Sequence, residues 1–147
     1  MMEIVPVDEK NICEAARVLS VSWQDSHRGF CSAEFIEKRT PENRREYLEG
    51  KLKAGGRIFM LVDGGPVGLV CVTGDLIEDL YVLPDKQGHG YGTALLRFAE
   101  GECNGAPRLT ILENNDGARR LYEREGFVPT GTVVKSGRLC EIEYVLD

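Results

Sequence analysis

Between Val82 and Thr93 the chain reads Val82-Leu83-Pro84-Asp85-Lys86-Gln87-Gly88-His89-Gly90-Tyr91-Gly92-Thr93, with glycine at every second position from 88 to 92. Glycine takes positive φ without steric cost and lets main-chain N–H groups approach a ligand closely. An extended pattern precedes this loop and a helical one follows, so the N–H groups that open the helix point outward. Such a cluster holds phosphate oxygens. The chemistry implied is capture of a phosphate or pyrophosphate, and taken alone the glycines also fit a tight turn with no ligand. A nucleotide P-loop needs a Lys-Ser/Thr pair after its last glycine, where this chain has Thr93-Ala94. A dinucleotide fingerprint needs GxGxxG after the first strand of a βαβ unit. Here the pattern is GxGxG and follows hairpin strands.

Two blocks together narrow the ligand. Gln87-x-x-Gly90-x-Gly92, after the strand Glu78-Asp79-Leu80-Tyr81-Val82, resembles the acyl-CoA loop of the GNAT superfamily of N-acetyltransferases. Asn115-x-x-Ala118-x-x-Leu121-Tyr122-x-x-x-Gly126-Phe127 is similar to the block with which that family packs against the pantetheine arm and supplies a tyrosine near the sulfur. The resemblance implies acetyl-CoA or CoA as cosubstrate, no metal, and transfer of an acetyl group to a primary amine. It also implies an α/β (α+β) fold in one domain over residues 1–147. That fold is a mixed, mostly antiparallel sheet of about seven strands, with helices on both faces.

By the same resemblance, main-chain groups of Gly88, Gly90 and Gly92 hold the pyrophosphate with their neighbours His89, Tyr91 and Thr93. Gln87 donates from its amide, and Leu80 and Val82 offer backbone hydrogen bonds to the pantetheine. Tyr122 matches the family's general acid, since a phenol with an ordinary pKa of about 10 keeps its proton to give to a leaving thiolate. Core packing on an apolar helix face is its alternative. Glu78 is the expected base, acting through water. In a regular strand residues 78, 80 and 82 share a face, which places Glu78 beside the thioester and Asp79 on the opposite side. A surface acid in an ion pair is the alternative for Glu78. Asn115 fits both the cofactor arm and a helix cap.

The acceptor is expected at the first helices. Trp23 and Phe30 offer cation–π faces, Asp25 offers charge, and His27 could shape the site. Ser22-Trp23-Gln24-Asp25 resembles the Trp-containing first loop of bacterial GNAT proteins, some of them polyamine acetyltransferases, so a polyamine-like small amine is the leading acceptor. A protein N-terminus or lysine is the alternative. A non-catalytic acyl-CoA sensor is the reading from another class.

These residues need a scaffold, and the pattern supplies one. Ile4, Val5 and Val7 read as a short edge strand limited by Pro6. A helix follows with Asp8 as its cap, and Trp23–Cys31 shows no clear period. Ser32 caps a short helix, and Thr40-Pro41 opens a longer one that Gly55-Gly56 stop. Ile58–Val62, Val67–Thr73 and Leu76–Leu83 are strands joined by turns at Asp63-Gly64-Gly65 and Gly74-Asp75. Tyr91, Ala94, Leu95, Phe98 and Ala99 recur at helical spacing. A strand at Leu109–Leu112, a helix through Leu121-Tyr122, and a hairpin turning at Ser136-Gly137 close the chain.

Composition bounds the partners. The 147 residues carry 24 acidic and 18 basic side chains, a net charge of -6. This argues against a domain-wide grip on nucleic acid or a polybasic membrane anchor. The cysteine count of five is odd and contains no CxxC spacing, so neither a disulfide framework nor a zinc site is expected. No secretory signal or membrane-length apolar run is read, which predicts a cytoplasmic protein. The closing hairpin leaves an edge strand where two copies could pair as a homodimer.

Overall fold

In the computed structural model residues 2–29, 31–113, 115–136 and 139–146 are described, the side chains of Ser136 and Leu139 excepted. The hairpin turn expected at Ser136-Gly137 therefore lies outside the described residues.

The apolar runs between positions 57 and 82 build an antiparallel meander of β2 (Arg57–Val62), β3 (Pro66–Thr73) and β4 (Leu76–Val82), with β2 and β3 buried along nearly their whole length. The short strand β1 (Glu3–Pro6) joins along β2 at one edge, where the missing N–H of Pro6 is tolerated. Beyond β4 lie β5 (Arg108–Leu112), then β7 (Leu139–Leu146), then β6 (Phe127–Ser136). The order is β1-β2-β3-β4-β5-β7-β6, with β4 and β5 the parallel neighbours. This is the mixed, mostly antiparallel seven-stranded sheet the sequence predicts. β6 forms the second edge, with Val128, Val133 and Val134 exposed.

Helices cover both faces. On one side α1 (Ile12–His27) and α3 (Pro41–Lys53) bury Ala15, Val18, Leu19 and Leu48 against Ile58, Met60, Leu69 and Cys71. On the other, α4 (Tyr91–Glu102) lays Leu95, Leu96 and Ala99 on Phe59, Leu61, Val70, Val72 and Ile77, alongside Tyr122 of α5 (Asp116–Arg124). Each large aliphatic in these layers stabilises by about 2–5 kcal/mol relative to alanine. α4 sits very close to the sheet at Gly68, where a Cβ would stand 2.7 Å from the Tyr81 carbonyl oxygen and 2.9 Å from Leu95 Cδ1.

The helix starts follow from capping chemistry. Ser32 accepts from the Phe35 N–H at the head of α2 (Ala33–Glu37), and Thr40 accepts from the Asn43 N–H with Pro41 in the first turn of α3. Asn115 accepts from the Ala118 N–H and caps α5. The expected cap at Asp8 is corrected. Its carboxylate accepts from the Lys10 N–H in a preceding turn, and α1 begins after Asn11. α1 also continues to His27, taking in Trp23–His27, where polar side chains hide the helical period because Asp25 and Ser26 line a cleft and Gln24 bonds to the Arg39 carbonyl.

Candidate active site

β4 and β5 pair only at Leu76 and Arg108, and from there the two strands part. Their divergence leaves backbone groups at the open end of β4 without a neighbouring strand, where an extended ligand could pair. The space forms a cleft of about 590 Å³. Its walls come from the end of α1, from Leu80, Tyr81 and Val82, from the 86–93 loop, and from α5.

One end presents the uncapped start of a helix. Gly88 and Gly90 have φ of +82° and +83°, a backbone that a side chain would strain. They turn the chain so that α4 starts at the cleft. α4 has no side-chain cap and no acid in its first turn. Its first N–H groups have no intrahelical acceptor and carry the positive end of the helix dipole. Gly90, Gly92, Thr93 and Gln87 line this end, and the Tyr91 hydroxyl donates to Asp63 at 2.5 Å, tying the helix start to the β2–β3 turn. Gln87 itself donates to the Val82 carbonyl at 3.2 Å. His89 does not line the cleft. Its Nδ1 lies 3.0 Å from the Lys86 carbonyl oxygen and 3.1 Å from that of Gln87, so the expected ligand contact is at most through its main chain. Lys86, Arg120 and Arg124 also line the cleft, adding cations that the sequence reading did not single out. Their signal was available, because Arg120 and Arg124 stand one helical turn apart on α5.

Tyr122 and Asn115 line the same cleft, Asn115 serving at once as the α5 cap. Tyr122 is only 8% exposed and packs edge-on against Phe127 at 6.0 Å between ring centres. Burial raises its pKa, with the charge of Asp79 adding to the effect. Tyr122 is thus packed in the core and also opens onto the cleft.

The expected position of Glu78 is corrected. β4 carries a bulge in which Asp79 and Leu80 both lie opposite Val70, and Asp79 takes φ +54°. The extra residue reverses the alternation. Ile77, Leu80 and Val82 share the α4 face, whereas Glu78, Asp79 and Tyr81 turn toward α1 and α3. There Lys51 donates to Glu78 at 2.6 Å and lies 4.0 Å from Asp79, and Tyr47 donates to Asp79 at 2.6 Å. Glu78 is in an ion pair, as its structural alternative anticipated, and neither acid lines the cleft. Burial raises the Asp79 pKa against the hydrogen bond from Tyr47 and the charge of Lys51. The Lys51 pKa is raised too: burial opposes its charge, and the Glu78 hydrogen bond and Asp79 charge outweigh it. Tyr81, between this cluster and the cleft, has its pKa raised by burial and by Asp79.

The acceptor end departs most from expectation. Ser22, Asp25 and Ser26 of α1 reach the cleft, but Asp25 is paired with Arg28 at 3.2 Å. Trp23 stacks on His27 with ring centres 3.8 Å apart, and the Arg39 and Arg44 guanidiniums already lie over its ring. The face expected to receive a cationic amine is thus occupied by the protein's own cations. Phe30 lies outside the described residues. Burial lowers the His27 pKa, and Arg39 and Arg44 lower it further against its backbone hydrogen bond at Trp23.

Among the described residues, no group of three or more His, Cys, Asp or Glu could hold a metal ion. Among them, too, no helix is long and apolar enough to cross a membrane. Residues 54–129, just over half of the chain, match a family model described as an acetyltransferase (GNAT) domain. Over 68 residues the chain is 37% identical to the peptidyl-lysine N-acetyltransferase YjaB of Salmonella typhimurium and 35% identical to that of Escherichia coli. These matches span 45% of this chain and 45% and 44% of the relatives, so they cover under half the length of the curated relatives. The fold is similar over its whole length to that of the PaiA N-acetyltransferase from Thermoplasma acidophilum in complex with coenzyme A. That comparison has a TM-score of 0.78 at 20% identity, covering 97% of this chain and 98% of that one. The solution structure of apo YjaB from Escherichia coli gives a TM-score of 0.76 at 20% identity, covering 99% and 97%.

Proposed function

The chain belongs to the GNAT acetyltransferase family, and on that premise we propose that it transfers an acetyl group from acetyl-CoA to a primary amine. One observation carries the reading: the uncapped start of α4 and the buried Tyr122 line a single cleft. A phosphate-binding end and a proton donor in the same cleft are what transfer from a nucleotide-bearing thioester requires.

The residues divide the work. The N–H groups from Gly88 to Thr93 hold the pyrophosphate, and Lys86, Arg120 and Arg124 offer charge to the remaining phosphate. Gln87 braces the loop by its bond to Val82. Leu80 and Val82 present the open backbone edge of β4 to the amide-bearing arm. When bound, acetyl-CoA supplies the activated thioester. Tyr122, its proton held firmly by burial, donates to the departing sulfur. Glu78 receives the amine's proton through water, and its ion pair with Lys51 fixes the place of the carboxylate. Because the bulge turns Glu78 off the cleft face, this route requires water.

The acceptor is a small primary amine in the first reading, since α1 closes the cleft with Ser22, Asp25 and Ser26. The name of the YjaB relatives supports a second reading, in which the amine is a lysine of a protein. A sensor that binds acyl-CoA without turnover is the reading from another class. Amine-dependent release of CoA thiol separates these readings from one another. Small amines as acceptors support the first and lysine peptides the second, while binding without release supports the sensor. Glu78→Gln is expected to lower kcat by about 100-fold, the scale of a lost proton acceptor. Unchanged kcat in that variant would remove Glu78 from the mechanism.

A further inference from the structure

In an acidic chain, with 24 acidic against 18 basic side chains, Arg39 and Arg44 share the Trp23 ring, and among the described residues neither makes a direct ion pair with a carboxylate. Arg39 lies 4.2 Å over the Phe35 ring and 5.1 Å over Trp23. Arg44 lies 5.8 Å from the centre of the same Trp23 ring and 4.7 Å over Tyr47. Arg44 is only 9% exposed, and its Nε and Nη2 both donate to one neutral acceptor, Asn43 Oδ1, at 3.0 and 2.8 Å. Burying a guanidinium against a second one is costly unless an anion offsets it. Burial lowers the Arg44 pKa and the charge of Arg39 lowers it further, against the opposing effects of Tyr47, Asp79 and Tyr81.

The arrangement is also held ready. Ser20 and Gln24 of α1 donate to the Arg39 carbonyl oxygen at 2.6 and 2.9 Å, fixing the turn between α2 and α3 that carries the guanidinium. The helix α3 links the pair to the base proposed above. Arg44, Tyr47 and Lys51 follow one another along a face of α3, and Tyr47 and Lys51 reach Asp79 and Glu78 behind the β4 bulge. Arg44 interacts electrostatically with Asp79 and with Tyr81, which lines the cleft.

We propose that Arg39 and Arg44, framed by Trp23 and Phe35, bind a carboxylate carried by the acceptor amine. The Arg39 fork and the Nη1 of Arg44, the one nitrogen not engaged by Asn43, supply charge-assisted hydrogen bonds to a carboxylate, and the rings offer apolar contact to the carbon chain beside it. The acceptor is then an amino-carboxylate, either free or presented by an acidic side chain next to a lysine in a peptide. The cluster disfavours a polyamine, which would bring further positive charge to it. This inference rests on the acetyltransferase reading for the identity of the amine, and on the arginine pair alone for the anion.

The test uses matched acceptors that differ in the carboxylate. Initial rates of thiol release from acetyl-CoA are measured with lysine against 1,5-diaminopentane. The same is done with a lysine peptide flanked by glutamates against one flanked by serines. In wild type, the carboxylate-bearing member of at least one pair is expected to have the higher kcat/KM by about tenfold or more. The pair that shows the advantage identifies its source. Arg39→Gln should bring the ratio to within about twofold of one through KM, and Arg45→Gln, on the outer side of α3, should leave the ratio as it is. No advantage in either pair, or an equal loss for both members in Arg39→Gln, would overturn the proposal and leave the arginines as a clamp on Trp23.

A second readout does not depend on turnover. Titration of glutarate into the protein, followed by calorimetry, should show saturable binding that weakens about tenfold in Arg39→Gln. Absence of saturable binding would overturn the anion site. Saturable glutarate binding with no thiol release for any amine would instead remove the acetyltransferase reading. Arg44→Gln, checked for folding by circular dichroism, is expected to act in the same direction as Arg39→Gln.

Discussion

Tyr122 keeps its proton because burial penalises the phenolate, and a nearby Asp79 charge penalises it further. A phenol held this way can donate to a thiolate across the whole working pH range, so its own ionisation should add no alkaline limb to the rate profile. Tyr122→Phe keeps the ring against Phe127 and removes the donor. We expect kcat to fall by about 100-fold while the Kd for CoA stays within about twofold, measured by steady-state kinetics and calorimetry. Asp79 makes a different prediction. Its folded pKa is raised above the ordinary unfolded value of about 3.9, so its stabilising contribution is present at low pH and fades as pH rises through the folded value. Near pH 7, Asp79→Asn should therefore have a Tm equal to or above wild type, with the advantage shrinking toward about pH 4 in thermal melts. Asparagine tolerates the left-handed backbone there, and Lys51 keeps Glu78. Tyr122 was legible in the sequence because its spacing from Asn115 and Gly126 carries it. The face of Glu78 was not, because alternation assumes a regular strand and nothing in Glu78-Asp79-Leu80 announces an extra residue.

At the scale of elements, the cleft depends on two glycines, one for a close approach and one for a left-handed turn. Gly68 lets α4 settle on β3, and a methyl group there would meet the Tyr81 carbonyl, backbone that cannot swing aside. Gly68→Ala is expected to destabilise by about 1–3 kcal/mol in chemical denaturation, the range of an overpacked contact. Gly90→Ala has open space around its Cβ but keeps φ near +83°, so its cost of about 1–2 kcal/mol arises in the backbone. It should weaken CoA binding more than it changes the melting of the core. The glycine loop and the caps at Ser32, Thr40 and Asn115 were readable because each needs a particular residue type. The start of α1 was not, since Asp8 and Asn11 are both good caps and geometry chose between them. The end of α1 was obscured because Ser22, Asp25 and Ser26 serve the cleft, and such residues break the apolar period.

Taken whole, the proposed site for a polyanion lies in a molecule with a net charge of -6, which is workable because the attraction is local. Fixed N–H groups at the start of α4 and three rim cations face one cleft, and bulk charge matters little beyond a Debye length of about 8–10 Å. CoA affinity should accordingly fall with added salt through Lys86, Arg120 and Arg124, and Arg124→Gln should flatten that dependence without abolishing binding. The order of elements along the chain was legible because the two motifs fix a known arrangement. The surroundings of Trp23 were not, since it read as an open aromatic face and only the fold brings Arg39 and Arg44 onto it. The most direct test of the central claim is thiol release from acetyl-CoA in the presence of a panel of primary amines, with wild type and Tyr122→Phe compared. The account predicts release that requires an amine, saturates in both substrates and collapses in the variant while CoA still binds. CoA binding with no amine-dependent release, or release that is the same in Tyr122→Phe, would contradict it.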